Sequence, residues 1–346
     1  MSGAGNCRRG DGDGVHSDGG GGSGTDGSPG GDPGGLRGGG LLVVGDVVTD
    51  VVARHRGPLA PATDTPADIR TVPGGAGANA ACWAARSGCA DVRLLARVGQ
   101  DSAAWHDLSL RRSGVRPLLI TDADAPTATV ISLVDTATAE RTFLTDSGAV
   151  HRMSPADWSP DLLDGVAHLH LSGYLLFADP CRQLALTARE SARSAGITVS
   201  LDPASTGFIG ALGIEEFLAL AEGIDVLLPN AAEAAFLTGL PEPADAAVKL
   251  SRRFPMVTVT LGAAGALVAV GGEVVARTAA PEVRALDSTG AGDAFTGGFL
   301  AARLRGAATA EAAEAGCRAG ACAVGVVGGR PGAGRPPHAS PRPQAG

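Results

Sequence analysis

Short apolar runs recur along this chain, and segments with helical spacing lie between them. The runs are Leu41–Asp50, Val92–Val98, His168–Tyr174, Ile197–Leu201, Val226–Pro229 and Met256–Leu261. Most are apolar on successive residues, the pattern of strands buried on both faces of a parallel sheet. Helical segments open near Ala76, Ser102, Asp179, Asn230 and Asp293. This alternation predicts an α/β fold of three layers, a central and mostly parallel sheet with helices on both faces. Two more segments, Thr127–Val134 and Arg141–Thr145, alternate apolar and polar residues around a turn at 135–140. With Asp68–Val72 they predict a small antiparallel sheet beside the main one.

The limits of the folded part follow from composition. Residues 1–40 are rich in glycine, with Ser, Asp and Pro between, and 330–346 are rich in Pro, Gly and Arg. Neither segment can bury enough apolar surface to offset its ordering entropy, so both are expected to be disordered around one domain at 41–329. Aromatics make up only 3% of the 346 residues, so the core must rest on Leu, Val and Ala. The formal net charge is −8 and Lys249 is the only lysine, which argues against a nucleic-acid partner. No apolar run approaches the ~18 residues that span a bilayer, and the N-terminus lacks the apolar core of a secretion signal. The six cysteines show no CxxC spacing and read as reduced, mostly buried residues of a cytoplasmic protein.

The densest chemical signal is Asp287-Ser288-Thr289-Gly290-Ala291-Gly292-Asp293-Ala294-Phe295. Gly-Ala-Gly permits a tight turn and close approach of a ligand to the backbone. The N–H groups of Gly290, Ala291, Gly292 and Asp293 would then point out of a helix N-terminus, a natural anion cradle. A carboxylate in that cradle repels a bound phosphate. It is well placed to take a proton from a hydroxyl attacking the phosphorus. The plain alternative is an acidic residue favoured by the helix dipole. The chain has no G-x-x-x-x-G-K-[ST] loop, which excludes a P-loop kinase.

This string closely resembles the D-T-x-G-A-G-D-x-F signature of the PfkB (ribokinase-like) family of sugar and nucleoside kinases, and the resemblance runs from Leu41 to Gly329. It implies the ribokinase-like fold, in which the small sheet (strands near 47–56, 68–72 and 127–145) is a lid over the sugar and often a dimer surface. It implies ATP and Mg²⁺ as cofactors, with K⁺ as an additional one, and Asp293 as general base over the Gly290, Ala291 and Gly292 amides. The first run resembles the family strand whose terminal Asp binds sugar hydroxyls, which puts that role on Asp50. Gly74-Gly75-Ala76-Gly77-Ala78-Asn79 resembles the substrate signature G-G-x-x-x-N, giving Gly75 and Asn79 to the substrate. Ala76 stands where many ribokinase-type sequences carry Lys. The same string contains the dinucleotide pattern G-x-G-x-x-A. Pro73 precedes the glycines, however, and Leu95 stands where that fold wants an acidic residue.

Asn230-Ala231-Ala232-Glu233 reads locally as a helix N-cap with a back-bonding Glu. It is also similar to the family's N-x-x-E motif, which implies Glu233 on Mg²⁺ through water and Asn230 near the phosphates. Met256–Gly265 resembles V-T-x-G-x-x-G, which lies along the nucleotide, so Thr260, Gly262 and Gly265 are implied ATP contacts. Asp287 and Thr289 match positions where many members hold a monovalent cation by backbone carbonyls. Gly320–Gly329 matches the region beside the adenine.

Other candidates stay open. His168 and His170 share a strand face and could ligate a metal, but no third ligand is evident, so satisfied structural histidines are expected. Asp202 ends a strand at the ligand-binding edge and could contact metal or substrate, or be structural. Arg54, His55 and Arg56 could meet a substrate phosphate or form a solvated turn. The reading reached is an ATP-dependent kinase acting on the primary hydroxyl of a small carbohydrate, with a homodimer through the lid. The alternatives are a nucleoside kinase of the same fold, disfavoured because the lid offers only Phe143 to grip a base, and a sugar- or nucleotide-binding sensor without catalysis.

Overall fold

The computed structural model describes residues 38–332, apart from 137, 139 and 140. Of the segments expected to be disordered, 1–40 and 330–346, residues 1–37 and 333–346 lie outside the described residues, while Gly40 begins the first strand and Arg330 is buried. Among the described residues the main sheet has nine strands. In sequence they are β1 (Gly40–Val44), β4 (Val92–Gly99), β5 (Arg116–Asp122), β8 (Val166–Ser172), β9 (Thr198–Asp202), β10 (Val226–Leu227), β11 (Met256–Thr260), β12 (Ala266–Val270) and β13 (Glu273–Thr278). Their spatial order is β13-β12-β11-β10-β9-β8-β1-β4-β5. From β5 to β11 every pairing is parallel, and β12 and β13 add an antiparallel edge.

Two apolar layers cover the sheet. On one face the core of Leu169, Leu184, Phe217, Leu237 and Phe254 packs α3 (Cys181–Ser194), α4 (Thr206–Leu212), α5 (Ile214–Leu220), α6 (Ala231–Thr238) and α7 (Pro243–Leu250). On the other, Leu41, Leu94, Leu110, Phe295 and Phe299 join α1 (Ala76–Arg86), α2 (Ala103–Arg112), α8 (Ala291–Leu304) and α9 (Thr309–Ala323). The chain leaves β1 first toward β4 and β5, then returns to β8 on its other side. Strand order therefore reverses beside β1, and ligands of open α/β sheets bind at such a point, outside the carboxyl ends of the strands.

The run read as one strand, Leu41–Asp50, is two. β1 stops at Val44, and β2 (Val48–His55) belongs to a second sheet of order β3-β2-β6-β7, with β3 (Ala67–Gly74), β6 (Ala128–Asp135) and β7 (Arg141–Asp146). The break falls at Asp46, whose carboxylate accepts from Ala76 N (2.7 Å), Gly77 N (3.1 Å) and the Ser172 hydroxyl (2.8 Å). The small sheet is also mixed rather than antiparallel. β2 pairs with β6 in parallel, and only the hairpin partners β3 and β7 run antiparallel. The cause is topological, since β2 and β6 each continue a parallel strand, β1 and β5, and so leave the main sheet in the same direction.

His168 and His170 are buried structural residues. Their ring nitrogens bond the hydroxyls of Thr198 (2.7 Å) and Ser200 (2.7 and 2.8 Å). Burial pushes His168 down to about 3, with His170 and Arg303 adding to the effect, and burial pushes His170 down to about 4. Below the ordinary histidine pKa of about 6.5 the unfolded chain binds protons that these two refuse. Their share of the stability is thus present at neutral pH and is lost as pH falls from about 6.5 toward 4. Urea midpoints taken between pH 7 and 5 should fall less steeply in a His168→Gln, His170→Gln variant than in the wild type. Carboxylates with raised pKa act in the opposite sense, and the comparison of variants cancels them.

Candidate active site

Two helix N-termini converge at the reversal point. At the first, Gly75 holds a positive φ of +99°, and a Cβ there would meet the Asp46 carbonyl. That turn and the Asp46 cap start α1, which carries Asn79. At the second, Gly290 sits at φ +74°, where a Cβ would strike the Gly329 backbone, and α8 starts at Ala291. Gly297 of α8 packs without a side chain against the α1 backbone at Ala80 and Ala84, which brings the two helices together. As a result Asn79 Nδ2 donates to Asp293 Oδ2 at 2.8 Å. Asn79 Oδ1 is buried without a hydrogen-bond partner.

Asp293 is pushed up to about 7. Burial is the largest cause, Asn79 opposes it by bonding the ionised form, and Asp46, Asp50 and Glu233 add repulsion. Asp50 projects from β2 toward Gly74, where a Cβ would collide with its carboxylate. It too is pushed up to about 7, by burial first and Asp46 next, with Arg330 pulling it down and Asp287 adding to the rise. A carboxylate that titrates near neutrality can accept a proton at working pH.

Asp50, Asn79 and Asp293 line one cavity of about 380 Å³, between the strand ends and the small sheet. Val48, Val130 and Phe143 contribute from the sheet. Gly75 and Thr289 also line it. Tyr174, Phe177 and Phe208 form an aromatic wall, with ring centroids 5.7 Å apart for Tyr174–Phe208 and 5.3 Å for Phe177–Phe208. Asp202 also lines the cavity, pushed well above the ordinary range by burial, then by Glu233 and Asp293. It accepts from Ala204 N (3.0 Å), and Ala204 holds φ +78°, a strained angle for a residue with a Cβ.

A second group of candidate residues stands at the ends of β10 and β11, near enough for Glu233 to act on Asp202 and Asp293. Asn230 caps α6, its Oδ1 accepting from Glu233 N and its N–H donating to Glu233 Oε2, both at 2.9 Å. Glu233 is buried and raised by desolvation, against which the Asn230 bonds work. Thr260 bridges to Asn230, and its N–H donates to the Pro229 carbonyl at 3.0 Å. Gly262 is exposed beside it at φ +59°. Gly265 is buried, and at φ +103° it turns the chain into β12, where a Cβ would strike the Thr278 carbonyl.

Behind the α8 N-terminus, Asp287 Oδ1 accepts from Thr289 N (3.0 Å) and Oγ1 (2.7 Å), and Oδ2 accepts from Gly328 N (3.1 Å). Asp287 N donates to the Val324 carbonyl at 3.2 Å. Residues 324–329 therefore form a strap past the end of α9, held to the loop before α8. Arg54 and His55 lie on β2 beyond Asp50, outside the 380 Å³ cavity, and His55 bonds the Gly57 carbonyl at 2.6 Å.

Three features escaped the sequence reading. Asp46 could have been suspected, because Gly-Asp interrupts an apolar run. The wall of Tyr174, Phe177 and Phe208 is assembled by the fold and has no local signal. Arg330, placed in the tail on composition, is buried, with Nη2 donating to the Gly74 carbonyl (3.1 Å) and Nη1 to the Ser109 hydroxyl (2.8 Å).

A proton acceptor near neutral pH in the first turn of a helix and a cavity with polar groups at its floor suit phosphoryl transfer to a hydroxyl. Comparison with known proteins agrees. The sequence model described as pfkB family carbohydrate kinase matches residues 40–333. The chain belongs to the pfkB family of carbohydrate kinases. A fructokinase of Klebsiella pneumoniae is 31% identical over 272 residues, 75% of this chain and 83% of that relative. The adenosine kinase of Sinorhizobium meliloti superposes with a TM-score of 0.77 at 23% identity, covering 85% of this chain and 96% of that one. A putative ribokinase II of E. coli, solved with ATP and Mg²⁺, superposes with a TM-score of 0.74 at 22% identity over 84% and 94%. This pfkB-family chain is a sugar kinase, a phosphotransferase acting on an alcohol group, with the ribokinase-like fold. Among its described residues no helix is long and apolar enough to cross a membrane.

Proposed function

We propose that the protein transfers the γ-phosphoryl group of ATP to a primary hydroxyl of a small carbohydrate, with Asp293 as the general base. The observation that carries this is Asp293 itself, titrating at about 7 in the first turn of α8 and hydrogen-bonded to Asn79 on the cavity floor. Asp50 accepts from two neighbouring sugar hydroxyls, and Gly75 leaves room for the ring. Asn79 Oδ1, buried and unpartnered, accepts from a third hydroxyl, which removes the penalty of leaving it unpaired. That orients the primary hydroxyl toward Asp293, which takes its proton as the oxygen attacks in line. The N–H groups of Gly290 and Gly292 hold the transferring group, and that of Ala291 joins them by giving up its 3.3 Å bond to the Ser288 carbonyl. Asn230, Thr260, Gly262 and Gly265 form the ATP side. The small sheet, acting as a lid, excludes water that would otherwise take the phosphoryl group.

The residues present fit Mg²⁺. Glu233 is a buried carboxylate repelled by acidic neighbours, one of its oxygens is committed to the α6 cap, and a cation would relieve the repulsion. Glu233 would hold the ion through water, in keeping with the preference of Mg²⁺ for retained waters and few carboxylates. When bound, the ion supplies positive charge to the phosphates. Backbone carbonyls around Asp287 and Thr289 would take a monovalent cation such as K⁺, since both side-chain oxygens of Asp287 are already engaged. The buried, unpaired Cys82, Cys89, Cys181 and Cys317 support a cytoplasmic setting.

One observation favours a second reading. The wall of Tyr174, Phe177 and Phe208 offers the ring faces on which a nucleobase stacks. A panel of fructose, ribose and adenosine, assayed by ATP consumption with Mg²⁺, separates the readings. Turnover with a free sugar supports the first, turnover with adenosine alone the second. Ligand binding without turnover would leave only the non-catalytic sensor.

The lid's outer face also carries apolar residues, with Ile69 62% and Leu144 54% exposed on the face opposite Asp50. Such a patch fits a homodimer through the lid. Light scattering should give a dimer for the wild type and a monomer for an Ile69→Asp, Leu144→Asp variant.

A further inference from the structure

Arg330 lies behind the Gly74–Gly75 turn at the cavity floor, and the reaction above gives it no role. It is 7% exposed, its Nη2 and Nη1 donate to the Gly74 carbonyl and the Ser109 hydroxyl, and its Nε is buried without a partner. An incompletely bonded buried guanidinium lowers stability unless a nearby charge offsets it, and Arg does not escape by losing its proton. The groups that face it come from three elements. His106 of α2 is held neutral, pushed to about 4 by burial and by Arg330, and bonds the Thr49 hydroxyl at 3.0 Å. Cys82 of α1 is raised by burial and stays a thiol. Asp50 of β2 is the remaining partner, and the only one that becomes an anion near neutral pH.

The surrounding strap touches α1 and the loop before α8. Gly328 N donates to Asp287, and the Gly329 carbonyl accepts from Trp83 Nε1 at 2.9 Å. A Cβ at Gly329 would collide with Asn79, just as one at Gly290 would collide with Gly329. Arg330 follows directly and reaches under the turn that starts α1.

We propose that Arg330 is a positioning residue: from behind the cavity it fixes the Gly74–Gly75 backbone and gives Asp50 its counter-charge, so that Asp50 meets the substrate as an oriented carboxylate. The clamp on Gly74–Gly75 stands by itself, whereas the ligand presented to Asp50 rests on the sugar-kinase reading. Asp50 also faces Asp46 after β1 and Asp287 before α8, both of which oppose its ionisation. Arg330 is the group that favours it.

The test compares wild type with Arg330→Met, Arg330→Lys and Ser109→Ala. In the free protein, amide exchange at residues 74–77 should quicken about tenfold in Arg330→Met, as expected for loss of a charged hydrogen bond, and less in Ser109→Ala. With sugar and ATP, Arg330→Met should raise the sugar KM about tenfold and the ATP KM far less. The acid limb of kcat/KM for the sugar should move to higher pH in Arg330→Met and stay near its wild-type place in Arg330→Lys, which keeps the charge. Unchanged exchange at 74–77, or losses shared equally by both substrates with the acid limb unmoved, would overturn the proposal. If Arg330→Met fails to fold, Arg330→Lys and Ser109→Ala decide by the same exchange readout. If the wild type turns over no sugar, the sugar-kinase reading fails while the exchange data still judge the clamp.

Discussion

Asp293→Asn should lower kcat by about 10²–10⁴-fold, the usual worth of a general base, and change sugar affinity by only a few-fold. The amide keeps the size of the carboxyl and can still contact Asn79, so the α8 N-terminus and its cradle stay in place. What disappears is the proton acceptor. The pH profile follows from the same group. Because burial, Asp46, Asp50 and Glu233 hold Asp293 at about 7, it is protonated and inactive on the acid side. The rate should therefore rise with pH through about 7 in the wild type. Cation binding near Glu233 would draw this limb to lower pH, so the profile is best recorded at several Mg²⁺ concentrations.

Asp50→Asn should raise the sugar KM by roughly 10²-fold, since two charge-assisted hydrogen bonds to hydroxyls become weaker neutral ones. It should also act on Asp293. Asp50 is one of the charges that hold the Asp293 carboxyl up, so removing it should shift the remaining acid limb to lower pH. A purely local binding role for Asp50 predicts the KM change without the shift. Steady-state kinetics between pH 5.5 and 8.5 separate the two cases.

How far the site could be read from sequence depended on whether its parts are local. Gly290 to Asp293 form one turn, and Asn230 with Glu233 one capping box, so local spacing was enough to read both as helix starts. The strand and helix alternation likewise announced the parallel sheet. The break at Gly45–Val47 was hidden because Asp46 finds its partners 30 residues or more away, at Ala76, Gly77 and Ser172. β5 escaped because Arg116 and Pro117 mask an edge strand paired on one side only. The parallel pairing of β2 with β6 depends on where both strands leave the main sheet, which no local pattern records. Arg330 stands in Gly-Arg-Pro, the composition of a linker, and only the fold shows its guanidinium beneath Gly74.

The most direct measurement is phosphorus NMR of the product formed from ATP, Mg²⁺ and the best sugar, with wild type and Asp293→Asn side by side. Proton-transfer chemistry at Asp293 predicts a phosphate ester coupled to the protons of a primary CH₂ carbon, formed by the wild type and slowed about 10²-fold or more in the variant. A phosphate on a ring hydroxyl, equal rates in the two proteins, or no ester from any sugar would contradict it.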